Sequence, residues 1–175
     1  MIKKILVPID GSEHATKAID LAADLAGKYK AEIVLFHVLL DHTSIYDLKL
    51  LAEKYDAGKA AIESLDSMSE AMVQAADVGY GGPISLPAPM DALRDVGAAI
   101  AKNAEQRVRS QSVDKIKTVI SSGSAADAIL EAAEGEGADM IVMGSRGLGK
   151  LAGMLMGSVS HKVSHHATCT VITVK

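Results

Sequence analysis

Five short runs of apolar, often β-branched residues recur along the chain with helical patterns between them, and this alternation constrains the fold more than any other feature. The runs are KILVPI (Lys4–Ile9), AEIVLFHV (Ala31–Val38), one inside DKIKTVISSG ending near Ser121, ADMIVMG and CTVITV. Runs of this length without polar alternation read as strands buried on both faces. Between the first two, Ala15, Ala18, Ile19, Ala22, Leu25 and Ala26 recur at helical spacing, with Ser12 as N-cap and Gly27 near the helix end. Strand, helix, strand implies a parallel pair, because two parallel strands need a long crossover. Further helices are read in MDALRDVGAAIAKNAEQRVRSQ, in SAADAILEAAEGEG with Ser124 as cap and Gly135 or Gly137 as stop, and over Ser158–His166. The pattern predicts an α/β fold with an open, doubly wound, five-stranded parallel sheet, Rossmann-like or flavodoxin-like, forming one domain over residues 1–175.

Residues 39–89 interrupt the rhythm as an insertion after the second strand. They read as one or two amphipathic helices, with Ile62, Leu65, Met68 or Ser69, Met72 and Ala76 along one face and Gly58 at a join. The Gly- and Pro-rich stretch VGYGGPISLPAP follows as a loop. The insertion serves either as a lid or partner-binding arm, or as extra helical packing.

Composition narrows the function classes. A net charge of −4 argues against a general binder of nucleic acid or anionic membrane, since both need a broad basic surface. A single cysteine, Cys169, sits in an apolar run and fits a reducing compartment as a strand residue rather than a reactive thiol. The start MIKKILVPID is too briefly apolar for a signal peptide, and no run reaches the ~20 apolar residues of a membrane span. A cytoplasmic location is expected.

The candidate chemistry lies in GSRGLGKLAGMLMGSVSHKVSHH, Gly144–His166, which holds five glycines and is rich in cations. Ligands of such sheets bind beyond the carboxyl ends of the strands, where the strand order reverses. A phosphate-binding G-x-x-x-x-G-K loop is met through Gly144, Gly149 and Lys150, but Leu151 stands where Ser or Thr should hold magnesium. A dinucleotide fingerprint is met by Gly147 to Ala152, but no acid follows Asp139 to meet a ribose. A third spacing fits better. Gly144, two residues, Gly147, nine residues, then Gly157 and Ser158 place glycine at a strand end and again at the opening of the last helix. Gly144 lets main chain approach a ligand closely, and the helix start offers free N–H groups and a positive dipole end to phosphates. The Ser158 hydroxyl adds a hydrogen bond or caps the helix. Arg146 and Lys150 either meet phosphates or are solvated charges.

This spacing, with KKILVPIDGS at the start and GSVSHKVSHHATCTVITVK at the end, resembles the universal stress protein family, specifically its ATP-binding branch with G-x2-G-x9-G-S/T. The resemblance implies an adenine nucleotide α-hydrolase-like sheet and an ATP-dependent regulatory switch in stress response, with Mg2+ or Mn2+ on the phosphates. It implies that Asp10 contacts the nucleoside end and that the backbone of Val38 contacts adenine. Pro8 and Met143 are expected as apolar walls of that site, with core packing as the alternative. Gly144, Arg146 and Gly147, then Gly157, Ser158 and Val159, hold the phosphates. As an alternative, Asp10 caps the first helix. The resemblance also implies a homodimer paired through the last strand, an edge that wants a partner. Thr170 departs from it, standing where the family often has proline, and the insertion is longer than in compact members. Competing readings are a non-ATP-binding interaction protein of the same fold and a slow ATPase or phosphoryl transferase.

Other candidates carry less. His161, His165 and His166 raise a metal hypothesis, but no third ligand or HExxH is evident, and a solvated helix end accounts for them. His37 reads as a satisfied core residue. Ser12, Ser145 and Ser160 show no His–acid partnership, so no catalytic residue is assigned.

Overall fold

The elements run β1 (Lys4–Ile9), α1 (Glu13–Tyr29), β2 (Glu32–Val38), α2 (Ile45–Tyr55), α3 (Lys59–Asp77), α4 (Met90–Arg109), β3 (Ile116–Ser121), α5 (Ala125–Glu136), β4 (Met140–Gly144), α6 (Ser158–His166) and β5 (Thr170–Val174). The computed structural model describes residues 1–77, 87–149 and 156–175. Most of the Gly- and Pro-rich stretch, together with Lys150, Leu151 and Ala152, lies outside the described residues.

Every strand pairing is parallel and the sheet order is β3-β2-β1-β4-β5. This is the Rossmann-type order, with the reversal between β1 and β4. The central strands are buried because their side chains are apolar on both faces: Ile5, Leu6, Val7, Ile33, Val34 and Leu35 are all fully buried. On one face, Leu6, Val34, Phe36, Ile141 and Met143 pack with Ala126, Ile129 and Ala133 of α5 and Val163 of α6. α1 packs on β1 and β4 from the other face, where side chains alternate with that set.

Local chemistry sets the helix ends. Ser12 Oγ accepts from the Ala15 N–H at 3.2 Å and starts α1. α1 passes through Gly27 and stops at Lys30, which takes the left-handed conformation (φ 56°) and returns its N–H to the Ala26 carbonyl. α5 likewise runs through Gly135 and stops at Gly137 (φ 63°). Late in α4, the Arg107 guanidinium forks onto Asp20 of α1 at 2.6 and 2.7 Å, and Gln111 adds a third bond at 3.0 Å. That hydrogen-bonded guanidinium holds the Asp20 carboxyl below its usual range. Both groups are partly exposed, so the pair contributes only ~0.5–1 kcal/mol.

The chain divides into two compact units, Met1–Val38 with Ala101–Lys175, and Leu39–Ile100. The first contains the whole sheet. In the second, α2 and α3 pack together as a helical pair, burying Leu48, Leu51, Ala52, Ala61 and Leu65. Ser44 caps α2, Asp56 ends it in the left-handed region (φ 53°), and Gly58 (φ 92°) turns the chain into α3. Lys49 of α2 is paired with Asp66 of α3 at 2.5 Å.

Candidate functional site

The reversal of strand order leaves the carboxyl ends of β1 and β4 side by side, with their following segments leading to different helices. Beyond β1, Asp10 Oδ1 accepts the Ser12 N–H at 2.9 Å, which orients the carboxylate. The cap of α1 is Ser12, so Asp10 does not cap that helix. Its other oxygen, Oδ2, faces Gly147: a Cβ built on Gly147 would lie 2.5 Å from it. The fold therefore brings Asp10 and Gly147 into direct apposition, and a side chain at 147 would displace the carboxylate.

Gly144 has a different reason to lack a side chain. Its Cβ would come within 2.8 Å of His14 Cβ and 2.9 Å of the Ala15 nitrogen and the His14 carbonyl carbon. The close neighbour is the first turn of α1, not an open ligand face. Gly157 differs again. It has extended φ/ψ of −75° and 161°, which any residue adopts, and a Cβ there would find its nearest atoms at an ordinary 3.6 Å.

α6 opens at this point. Its N-cap is Gly157, which has no side chain to cap it, and no side chain among the described residues does so. Ser158 is therefore the first helical residue, and its hydroxyl is not the cap. The Gly157 N–H goes to the Ser145 carbonyl at 2.8 Å. The Ser160 hydroxyl donates to the same carbonyl at 2.7 Å. These two bonds tie the end of β4 to the start of α6. The N–H groups of Ser158, Val159 and Ser160 fall in the turn of a helix that has no intrahelical acceptor. They form the positive end of a nine-residue helix, whose cap residue Gly157 lies against Arg146 and Ser145.

A sequence model of the universal stress protein family matches residues 1–175. The chain belongs to the universal stress protein family. Universal stress protein YxiE of Bacillus subtilis is 31% identical over 175 residues, covering 100% of both chains. Among solved structures, the universal stress protein UspA of Lactobacillus plantarum superposes with a TM-score of 0.62 at 24% identity, covering 99% of this chain and 98% of that one. A universal stress protein solved in complex with cAMP has a TM-score of 0.59 at 20% identity, covering 99% and 96%. One from Archaeoglobus fulgidus in complex with dAMP has 0.60 at 17%, covering 100% of each.

In this universal stress protein, the remaining candidates lie at the ends of β2 and β4 and in the first turn of α6. Val38 ends β2 and Met143 lies near the end of β4, both buried in the core shared with α5 and α6. Val159 packs against that core from α6, and Arg146 is exposed on the β4 side. Lys150 falls outside the described residues. Sequence reasoning missed the structural roles of Ser145 and Ser160, both buried. It weighed them as nucleophiles, whereas they close the glycine segment. The signal available was Ser160 at the third helical position, where a small polar group can reach back to main chain.

His37 is completely buried, and its Nδ1 lies 2.9 Å from the Ile9 carbonyl. A carbonyl only accepts, so Nδ1 carries the proton. Nε2 is buried with no hydrogen-bond partner among the described residues, so His37 is half satisfied there. Burial holds the imidazole below its ordinary pKa. Above pH ~6.5 the ring is neutral in folded and unfolded chains alike and affects nothing. As pH falls below that value only the unfolded chain takes the proton, so stability falls until the folded pKa is reached. Thermal melts from pH 7.5 to 5 should show this loss, approaching ~1.4 kcal/mol per pH unit, with a flatter profile in His37→Leu. Equal slopes in the two proteins would contradict the assignment.

Proposed function

We propose that this universal stress protein binds ATP in the crevice at the carboxyl ends of β1 and β4 and acts as a nucleotide-dependent regulatory switch in stress response. The observation that carries this reading is the start of α6 at Gly157, which has no capping side chain and packs against Ser145 and Arg146, one residue before the apposed Gly147 and Asp10. Ser158, Val159 and Ser160 supply main-chain donors to phosphate oxygens, and Arg146 adds a cation. Asp10, oriented by the Ser12 N–H, accepts from a ribose hydroxyl or the adenine amino group. Val38 and Pro8 line the base, and Met143 closes the apolar side. The cAMP and dAMP complexes of structurally similar family members support an adenine nucleotide as the ligand class.

Mg2+ or Mn2+ fits this site as a companion of the phosphates. Its ligands would be phosphate oxygens and water. Binding favours the conformation that meets the phosphates, and the switch lies in that difference of affinity. β5 stands at the sheet edge with one side unpaired among the described residues, and it pairs with a second copy in the proposed homodimer. No helix among the described residues is long and apolar enough to cross a membrane, and the proposed location is cytoplasmic.

Isothermal titration with ATP and Mg2+ tests the reading. Saturable binding of one nucleotide per chain is expected. A folded protein that takes up no ATP would overturn it in favour of an interaction protein with the same sheet.

A further inference from the structure

We infer that Pro8 is a positioning residue that keeps the crevice open by withholding one main-chain hydrogen bond between β1 and β4. β1 is a central strand, where proline is ordinarily excluded because it cannot donate to the ladder. Successive residues of a strand direct their N–H and C=O to opposite neighbours. Glu32 donates to the Lys3 carbonyl at 2.8 Å, so odd-numbered residues of β1 face β2. Even-numbered residues then face β4, and Asp139 does donate to the Lys4 carbonyl at 3.0 Å. Pro8 thus meets β4 with the side of its backbone that lacks a donor.

The pairing pattern shows the consequence. β1 pairs with β2 through its whole length, including Pro8↔Phe36 and Ile9↔His37. β4 pairs with β5 through Gly144↔Val174. Between β1 and β4 the ladder runs only through Ile5↔Met140 and Leu6↔Ile141, although both strands continue. Continuing the register sets Val7 against Val142 and Pro8 against Met143. Both of those pairs depend on a bond from the N–H of residue 8 to the Val142 carbonyl. Proline deletes it. One rung of the ladder is therefore missing at the switch point, where Asp10 and Gly147 converge, while the outer pairings hold each strand in place.

This inference rests on the nucleotide reading for its functional half and stands on backbone pairing for the other. The test is Pro8→Val, with Pro8→Ala as a second variant free of added side-chain bulk. Amide hydrogen exchange is followed at residue 8, and ATP affinity is measured beside the parent protein. The new amide is expected to exchange about a hundredfold slower than an open one, because it bonds to β4. ATP affinity is expected to fall about tenfold or more at an undiminished melting temperature. A freely exchanging residue 8 in both variants overturns the inference. So does a protected amide with ATP affinity equal to the parent's. If the parent binds no ATP, that failure belongs to the nucleotide reading, and the exchange at residue 8 still decides the role of Pro8.

Discussion

Gly157→Asp is expected to weaken ATP binding about a hundredfold while leaving the protein slightly more stable. The two effects share one cause. Gly157 is the N-cap of α6, in extended conformation, with ordinary 3.6 Å clearance around a new Cβ. Aspartate is among the best N-cap residues, and its carboxylate would accept from the Val159 or Ser160 N–H. Its charge also suits the positive end of the helix dipole. A gain of about 0.5 kcal/mol follows, or 1–2 °C in Tm. The same carboxylate occupies the donors that phosphate needs and repels it. Calorimetric titration and thermal melts on one preparation read both halves. Parent-like ATP affinity, or a marked drop in Tm, would contradict the site.

Gly144→Ala should do the opposite, unsettling the fold first. Its Cβ would fall inside 3.0 Å of three atoms of His14 and Ala15, two of them main chain in the first turn of α1. A helix backbone cannot rotate aside as a long side chain can, so α1 or β4 must shift. Overpacking of this kind costs about 3 kcal/mol. For a chain of this size the melting temperature should fall by roughly 6–12 °C. Gly157→Ala is the control, since it meets no close contact and loses at most ~1 kcal/mol through a poorer cap. If the two alanine variants melt together, the distinction between a glycine set by packing and a glycine open to ligand fails.

That distinction was not legible in the sequence. The G-x2-G-x9-G spacing marks Gly144, Gly147 and Gly157 alike, yet each lacks a side chain for its own reason. One makes room for α1, one for the Asp10 carboxylate, and one leaves a helix uncapped. The first two reasons are contacts between residues far apart in the chain, which no local pattern encodes. The strands were readable because apolar runs such as Lys4–Ile9 carry no competing pattern. The start of α6 was readable because Gly157 precedes, and Ser158 begins, a short polar helical stretch. The end of α1 was not: Gly27 is the expected stop, but the helix runs on to Tyr29 and a left-handed Lys30 ends it. Pro8 was visible as a proline in a strand. Which neighbour it fails depends on the phase of the ladder, and that follows only from the register with β2 and β4.

The account depends most on main-chain amides at the start of α6 receiving phosphate. The direct measurement is the backbone amide spectrum of the protein titrated with ATP and Mg2+, against adenosine as a ligand without phosphate. Saturable shifts of the Ser158, Val159 and Ser160 amides with ATP, and not with adenosine, are predicted. Bound ATP that leaves those three resonances unmoved would contradict it.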